Sequence, residues 1–187
     1  MGVSLSRQTM ANWMMYGANH WITHLHKRMH TLLLQHDILH ADETALTEPG
    51  RSATAKSYMW LYRTGRDVPA IVLYDYQTTR AGNHPKAFLK GFFGYLHVDG
   101  YAGYHDLPKV ELVGCWAHAR RKFDEALKSL PADVQKSNTP CAAKIGLQFC
   151  NQLFKIGKKI NKIDNCTPKI RYQERLDHSQ PVLERIA

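Results

Sequence analysis

Ile38-Leu39-His40-Ala41-Asp42 is a short apolar stretch that ends in an acid, and it opens the part of the chain that decides the fold. Two further stretches, 57–63 (SYMWLYR) and 70–76 (AIVLYDY), are rich in aromatic and β-branched residues, which is typical of strands. Residues 47–56 between the first two strands contain Pro, Gly, Ser and Thr and predict a hairpin tip. Three strands with short connections predict an antiparallel meander.

The pattern changes further along the chain, where helices and strands alternate. Residues 83–91 (NHPKAFLKG) predict a short helix, because Pro85 suits a first helical turn and Gly91 suits the residue after the last one. Residues 94–99 (GYLHVD) and 110–115 (VELVGC) predict two more strands, and a helix is expected from 117 to about 130. This order predicts an α/β fold with a mixed five-stranded sheet covered by helices.

Helical segments are expected on both sides of this region. Residues 6–35 predict a long amphipathic helix, with Ser6 as its N-cap and apolar residues at steps of three and four. The apolar residues are Met10, Trp13, Met14, Gly17, Trp21, Leu25, Met29 and Leu32. We expect this face to pack on a core, and contact with DNA through the opposite, His- and Lys-bearing face is the alternative. Residues beyond 132 are polar and predict helical pieces.

Composition excludes several classes of protein. The 187 residues include 25 Lys+Arg against 16 Asp+Glu, a net charge of +9 that favours a polyanionic partner. No apolar run is long enough to span a bilayer. The sequence has no Walker-type phosphate loop, no dinucleotide-binding glycine pattern and no serine-hydrolase elbow. The four cysteines form no C-x-x-C pair, so reduced thiols are expected rather than a zinc ribbon or a disulfide framework.

Two acids stand out by position. Asp42 and Asp99 are each expected to end an apolar, buried strand, and they would meet at one sheet edge if the first and fourth strands are parallel neighbours. Two clustered carboxylates favour a divalent cation between them, and Mg²⁺ prefers oxygen ligands and phosphate substrates. The alternative is that both acids only form turns. Tyr101 and Tyr104 follow Asp99, and we expect them to pack at the sheet end rather than to stack on bases.

A strand-to-helix corner carries the second candidate group. Cys115 and His118 have a C-x-x-H spacing, which suits half of a zinc site or a buried Cys beside a capping or DNA-facing His. His118, Arg120, Arg121 and Lys122 form a short basic run at the start of the predicted helix, where phosphates are readily bound. A solvated helix face is the alternative.

Several motifs, taken together and in this order, resemble bacterial transposases of the insertion-sequence-66 family. The segment 83–91 also fits the family. The motifs are 5–13 (LSRQTMANW), 39–44 (LHADET), 99–104 (DGYAGY) and 114–123 (GCWAHARRKF). The similarity extends from about residue 2 to residue 130.

This resemblance implies a ribonuclease-H-like core of the DDE type, which uses two aspartates and one glutamate. Asp42 matches the first aspartate and Asp99 the second, so both are expected to be catalytic and to bind Mg²⁺ or Mn²⁺. The implied reaction is DNA cleavage and strand transfer at insertion-sequence ends, with double-stranded transposon and target DNA as partners. Members generally act as dimers or larger assemblies, and a cytoplasmic, nucleoid-associated location is expected.

The chain departs from the family pattern at the third acid. In the family that glutamate lies in an Asn-Asn-x-x-Glu-Arg-like segment, to which nothing in residues 131–187 corresponds. We therefore assign no third catalytic residue and expect a truncated central fragment: a helical segment at 1–37, a partial core at 38–130 and a helical insertion or tail at 131–187. The alternatives are a non-catalytic DNA-binding remnant, or another ribonuclease-H-like nuclease with Glu125 as the nearest candidate acid.

Overall fold

The chain divides into two compact units, Met1–Val113 and Gly114–Ala187. The computed structural model describes residue 2 and residues 4–47, 56–137 and 139–185. Most of the predicted hairpin tip, residues 48–55, lies outside the described residues. The strands on either side of it nevertheless pair as a hairpin, because Thr47 lies opposite Lys56.

A five-stranded mixed sheet forms the first unit. Its strands are β1 (Ile38–Thr47), β2 (Lys56–Thr64), β3 (Val72–Gln77), β4 (Gly94–Val98) and β5 (Val110–Gly114). The order across the sheet is β3-β2-β1-β4-β5. β1, β2 and β3 form the predicted antiparallel meander, and β4 runs parallel to β1. The predicted α/β class, with a mixed five-stranded sheet flanked by helices, is confirmed.

A long helical segment precedes the sheet, as predicted. Helix α1 (Arg7–Gly17) continues through a π-helical turn, Ala18–Ile22, into α2 (Thr23–Leu33). The Ser6 hydroxyl accepts a hydrogen bond from the backbone N–H of Thr9, which confirms it as the N-cap. The predicted short helix is α3 (Asn83–Phe88).

The apolar face of the N-terminal helix is mostly exposed, contrary to the expectation that it packs on a core. Trp13 is 61% exposed, Met14 76% and Trp21 68%, whereas Leu33 at the end of α2 is fully buried. Residues 7–33 span about 40 Å at the rise of an α-helix. Only the last turns of α2, just before β1, reach the sheet. The apolar residues of these turns are therefore buried or half-buried, whereas those earlier in the helix are exposed.

The core of the first unit lies between the sheet and the helices that cover it. Buried residues of the strands and of the segments between them pack with Leu33, and Tyr62 stacks on Phe88 of α3. The His30 ring nitrogen Nε2 lies 2.7 Å from the Phe88 carbonyl oxygen, which joins α2 to α3. The buried apolar residues of this core are Leu33, Leu39, Ala41, Trp60, Tyr62, Ile71, Leu73, Leu89, Phe92, Leu96, Val98, Tyr104 and Leu107.

The second unit is helical, as predicted for the C-terminal segment. It contains α4 (Trp116–Lys128), α5 (Ala132–Lys136), α6 (Ala142–Ile160), α7 (Pro168–His178) and α8 (Gln180–Glu184). Helices α4 and α6 pack closely, since a Cβ atom at Gly146 would lie 2.3 Å from the Phe123 ring. The four cysteines are all free thiols, as expected. No helix in the described part of the chain is long and apolar enough to cross a membrane.

Two leucines of α2 test which part of the N-terminal helix contributes to the core. Replacing buried Leu33 by Ala removes apolar contacts and leaves a cavity, and we expect a loss of about 2–5 kcal/mol in the free energy of unfolding. Leu25 is 58% exposed, so Leu25→Ala serves as the matched control and should stay within about 0.5 kcal/mol of the parent. Urea denaturation followed by circular dichroism measures both, and equal losses would show that Leu25 is also buried.

Candidate active site

The pairing of β1 with β4 sets the geometry of the site. The two strands are parallel, with His40 directly opposite His97. Asp42 and Asp99 each come two residues later, so the same register places them opposite one another. A carboxylate oxygen of Asp42 lies within 4.8 Å of a carboxylate oxygen of Asp99. The structure therefore places together the two acids that the sequence singled out.

Asp42 does not end its strand, contrary to the sequence-based expectation. β1 continues to Thr47 because it pairs with β2 along its whole length, from Leu39 to Thr47. β4 is shorter and ends at Val98, directly before Asp99. Asp42 therefore lies on the part of β1 that extends beyond the end of β4, and both acids are exposed there.

Alternation along the strands decides which face of the sheet carries each side chain. In β1, Leu39 and Ala41 are buried in the core, whereas Asp42 is exposed on the opposite face. In β4, Leu96 and Val98 are buried in the same way, and Asp99 continues the alternation. The two acids thus share the face of the sheet that is turned away from this core.

Two histidines lie beside the acid pair on the same face. The rings of His40 and His97 are stacked, with centroids 4.6 Å apart. Burial, followed by the positive charges of His97 and Arg63, lowers the pKa of His40 to about 4. Burial also lowers the pKa of His97. Both rings are therefore neutral at pH 7, and their positions were not singled out by the sequence pattern.

Glu43 faces the opposite way from its neighbour Asp42. Its side chain is only 1% exposed, on the face that also carries Leu39 and Ala41. The Tyr104 hydroxyl donates a hydrogen bond of 2.7 Å to Glu43 Oε2, and Arg80 Nε donates one of 2.9 Å to Oε1. Burial and the hydrogen bond to Glu43 raise the pKa of Tyr104, so its hydroxyl stays protonated. Glu43 is therefore engaged in the core and does not face Asp42.

Arg80 connects this buried carboxylate to Asp99. Besides its bonds to Glu43, its Nη2 lies 3.9 Å from Asp99 Oδ2, and its guanidinium carbon lies 3.9 Å from the centre of the Tyr101 ring. Burial pulls the pKa of Arg80 down, but the hydrogen bond and charge of Glu43 outweigh it, so the pKa is raised. The sequence analysis missed Arg80, since an Arg in a polar loop carries no periodic signal. Tyr104 is fully buried, which confirms the expectation of packing.

The donor set suits a divalent cation. Mg²⁺ and Mn²⁺ prefer carboxylate oxygens, and at about 2.1 Å from the ion two ligand oxygens lie roughly 3–4 Å apart. A carboxylate oxygen of Asp42 and one of Asp99 lie within 4.8 Å of each other, which is close to that spacing. Both acids are also exposed, so an ion has access to them.

The second unit carries the predicted basic run on α4. Cys115 directly precedes α4 and His118 lies in its first turn, which is the predicted strand-to-helix corner. Arg120 Nε donates a 2.7 Å hydrogen bond to the side chain of Asn151 on α6. Arg121 and Lys122 are exposed.

Glu125, the nearest candidate for a third acid, lies one turn further along α4. It is exposed, and its Oε2 lies 3.3 Å from Lys122 Nζ. This contact is an exposed ion pair within one helix, which contributes little to stability.

The stacked histidines predict a pH dependence of stability. Because the pKa of His40 is lowered in the folded state, the unfolded chain binds more protons between pH 6.5 and 4, and stability falls as the pH drops through that range. In His40→Gln, we expect the free energy of unfolding to fall by about 1–2 kcal/mol less over this pH range than in the parent, after allowing for the partial exposure of His40. Chemical denaturation at several pH values, with a chelator present, measures it. His24→Gln, an exposed histidine on α2, is the control, and an unchanged pH profile for His40→Gln would contradict the prediction.

Comparison with known proteins identifies the family to which the chain is similar. The model described as "Transposase IS66 family" matches residues 1–187. The uncharacterized protein y4qI of Sinorhizobium fredii (strain NBRC 101917 / NGR234) is 34% identical over 146 residues, which cover 65% of this chain and 26% of that protein. The uncharacterized protein y4hP of the same strain is 25% identical over 205 residues, which cover 98% of this chain and 35% of that protein. The chain thus spans about a quarter to a third of the length of these curated relatives.

One similar solved structure is the cryo-electron microscopy structure of the simian T-cell lymphotropic virus intasome in complex with PP2A regulatory subunit B56 gamma. The TM-score is 0.34 at 13% sequence identity, and the match covers 65% of this chain and 50% of that one. The family model, by contrast, covers the whole sequence, including the segments that carry both acids and the basic run. The chain therefore belongs to the IS66 family of transposases.

Proposed function

We propose that this chain is part of the catalytic core of a transposase that cleaves DNA and transfers strands at insertion-sequence ends, with Asp42 and Asp99 as catalytic metal ligands. The observation that supports this most directly is the approach of the two carboxylates to within 4.8 Å at the end of β4. We place the core at residues 38–130, after a helical segment at 1–37 and before a helical insertion or tail at 131–187.

The chemistry required of this site is phosphodiester displacement by water and then by a 3′-hydroxyl. Bound Mg²⁺ or Mn²⁺ supplies the charge that activates the attacking oxygen and stabilises the leaving one. Asp42 and Asp99 would hold such an ion on the exposed face of the sheet, where a DNA strand would have access to it. The neutral rings of His40 and His97 add no positive charge beside the ion at pH 7.

The missing third acid limits what the chain does alone. Glu43 is the carboxylate next to Asp42 in sequence, but its side chain is buried and bonded to Arg80 and Tyr104. Among the described residues, Asp42 and Asp99 supply two carboxylates, one fewer than the three acids that the resemblance to the family implies. We therefore expect strand transfer by this chain to be weak or absent until a third acid is supplied.

The distribution of charge supports DNA as the partner. Residues 114–187 contain 14 Lys+Arg against 7 Asp+Glu, so +7 of the net +9 lies in the second unit. We assign His118, Arg120, Arg121 and Lys122 of α4 to DNA binding. The last turns of α6 and the residues just after them add four exposed lysines, at positions 155, 158, 159 and 162. This concentration of charge also favours the second candidate function, a DNA-binding remnant without catalysis.

Mn²⁺ binding tests the metal site without relying on activity. We expect Asp42→Asn and Asp99→Asn each to weaken Mn²⁺ binding at least about tenfold, because each removes one carboxylate ligand of a two-acid site. Isothermal titration calorimetry measures the affinity, and Asp106→Asn, an exposed acid of the same unit, is the control. Equal Mn²⁺ affinity in all four proteins would contradict the metal site.

A cleavage assay with the parent chain and Asp42→Ala separates the two candidate functions. A labelled duplex bearing an insertion-sequence end is incubated with the chain and Mg²⁺ or Mn²⁺. Weak or absent cleavage is expected from the incomplete site. Robust nicking that disappears in Asp42→Ala would contradict the incomplete-site proposal, whereas DNA binding without any Mn²⁺ affinity at the acids would favour the remnant.

Salt dependence tests the DNA surface. Binding through phosphates weakens steeply with salt, and each lost phosphate contact reduces the slope of log K against log salt by about 1. We expect Arg121→Gln and Lys122→Gln each to show this change in fluorescence anisotropy titrations with duplex DNA. Lys90→Gln, an exposed lysine of the first unit, is the control. An unchanged slope in both α4 variants would remove this helix from the interface.

A further inference from the structure

A buried carboxylate, Glu43, lies directly behind the acid pair and is bonded to the partly exposed side chain of Arg80. The Glu43 side chain is 1% exposed, and a buried carboxylate is costly unless it is paired and hydrogen-bonded. Both of its oxygens have partners, since Oε1 accepts from Arg80 and Oε2 accepts from Tyr104. Glu43 therefore fixes the position of the Arg80 guanidinium by a charge-assisted bond.

Arg80 is held at both ends. Its guanidinium is bonded to Glu43 and stacks on the Tyr101 ring at 3.9 Å, while its backbone carbonyl accepts a hydrogen bond from the Tyr101 hydroxyl. The loop that carries Arg80 is also packed tightly, because a Cβ atom at Gly82 would lie 2.8 Å from the Gly103 carbonyl oxygen. The guanidinium thus has little freedom to move relative to the end of β4.

The same residues determine how Asp99 is oriented. Asp99 Oδ1 accepts a 2.9 Å hydrogen bond from the backbone N–H of Tyr101. Asp99 Oδ2 lies 3.9 Å from Arg80 Nη2, a separation at which two opposite charges attract. The rotation of the Asp99 carboxylate is therefore restrained from two sides, and one restraint leads through Arg80 to Glu43.

We propose that Arg80 is a positioning residue, which Glu43 and Tyr101 hold so that the Asp99 carboxylate faces Asp42. The inference deepens the proposed function, because the orientation it explains is the one a metal ion requires. Arg80 acts through Asp99, and Glu43 acts as its buried anchor rather than as a further metal ligand. Residues that orient metal ligands in this way affect metal affinity by about 10–100-fold in other proteins.

Arg80→Lys separates positioning from charge. Lysine keeps the positive charge but loses the planar fork that bonds to Glu43 and stacks on Tyr101. We expect Arg80→Lys to weaken Mn²⁺ binding roughly tenfold in calorimetry. If Arg80 acted only through its charge, Arg80→Lys would leave the affinity unchanged and Arg80→Gln would bind Mn²⁺ more tightly, and either result would overturn the proposal.

Three further variants keep the test independent of folding defects. Tyr101→Phe leaves the Glu43–Arg80 pair intact and removes only the hydroxyl bonded to the Arg80 carbonyl, so a smaller loss of Mn²⁺ affinity, about threefold, is expected. The parent, Glu43→Gln, Arg80→Lys and the double variant Glu43→Gln/Arg80→Lys together form a double-mutant cycle. If Glu43 is the anchor, the double variant binds Mn²⁺ no more weakly than Glu43→Gln alone, and additive losses would contradict that role. Thermal unfolding confirms that each variant is folded, and Lys90→Gln is the control.

A crystal structure of Arg80→Lys tests the positioning role directly, whether or not the proposed function is correct. The Asp99 carboxylate should turn away from Asp42 in that variant. An unchanged Asp99 orientation would overturn the positioning role even if Mn²⁺ binds. If instead Asp42→Asn leaves Mn²⁺ binding unaltered while Asp99 turns in Arg80→Lys, the proposed metal site fails and the positioning role stands.

Discussion

The parallel pairing of β1 with β4 is the constraint on which the candidate site depends. Backbone hydrogen bonds fix a register in which His40 lies opposite His97. Asp42 and Asp99, each two residues further along, are therefore also opposite one another. The acids are far apart in sequence, yet they need no long-range interaction of their own to meet. A shift of one residue would move Asp42 to the core face, where an ionised carboxylate is costly. The burial of Leu39 and Ala41 therefore protects the site as well as the fold.

Adjacent acids on one strand have opposite roles because a strand alternates its faces. Asp42 is exposed to solvent, whereas Glu43 is enclosed and neutralised by Arg80. The pair of buried Glu43 and partly exposed Arg80 gives the end of the sheet a fixed arrangement of charge, and the Tyr104 hydroxyl completes the partners of Glu43. Tyr101 extends this arrangement to Asp99 through its backbone N–H. The polar network and the apolar core thus meet at Tyr104, which belongs to both.

Much of the fold could be predicted from local pattern. Strand composition predicted the meander, and the position of Asp99 after an apolar stretch singled out that acid. Predictions that depend on tertiary context were less accurate. Asp42 lies within β1, and not at its end, because pairing with β2 extends the strand. Trp13, Met14 and Trp21 are exposed because the N-terminal helix extends beyond the sheet. Alternation from Leu39 through Ala41 could have indicated that Glu43 is buried. Arg80 could not have been found in this way, since its role comes from the packing of a loop.

The uneven distribution of charge has a consequence for how the protein meets a polyanion. Residues 1–113 carry 11 Lys+Arg against 9 Asp+Glu, so the unit with the acid pair is close to neutral, whereas residues 114–187 carry a net +7. Long-range attraction acts mainly on the second unit, and its contribution to the encounter rate falls as ionic strength rises. Under the proposed function, the second unit supplies most of the attraction for DNA, and the first unit supplies Asp42 and Asp99. In the proposed function, the encounter with DNA and the chemistry therefore depend on different segments of the polypeptide.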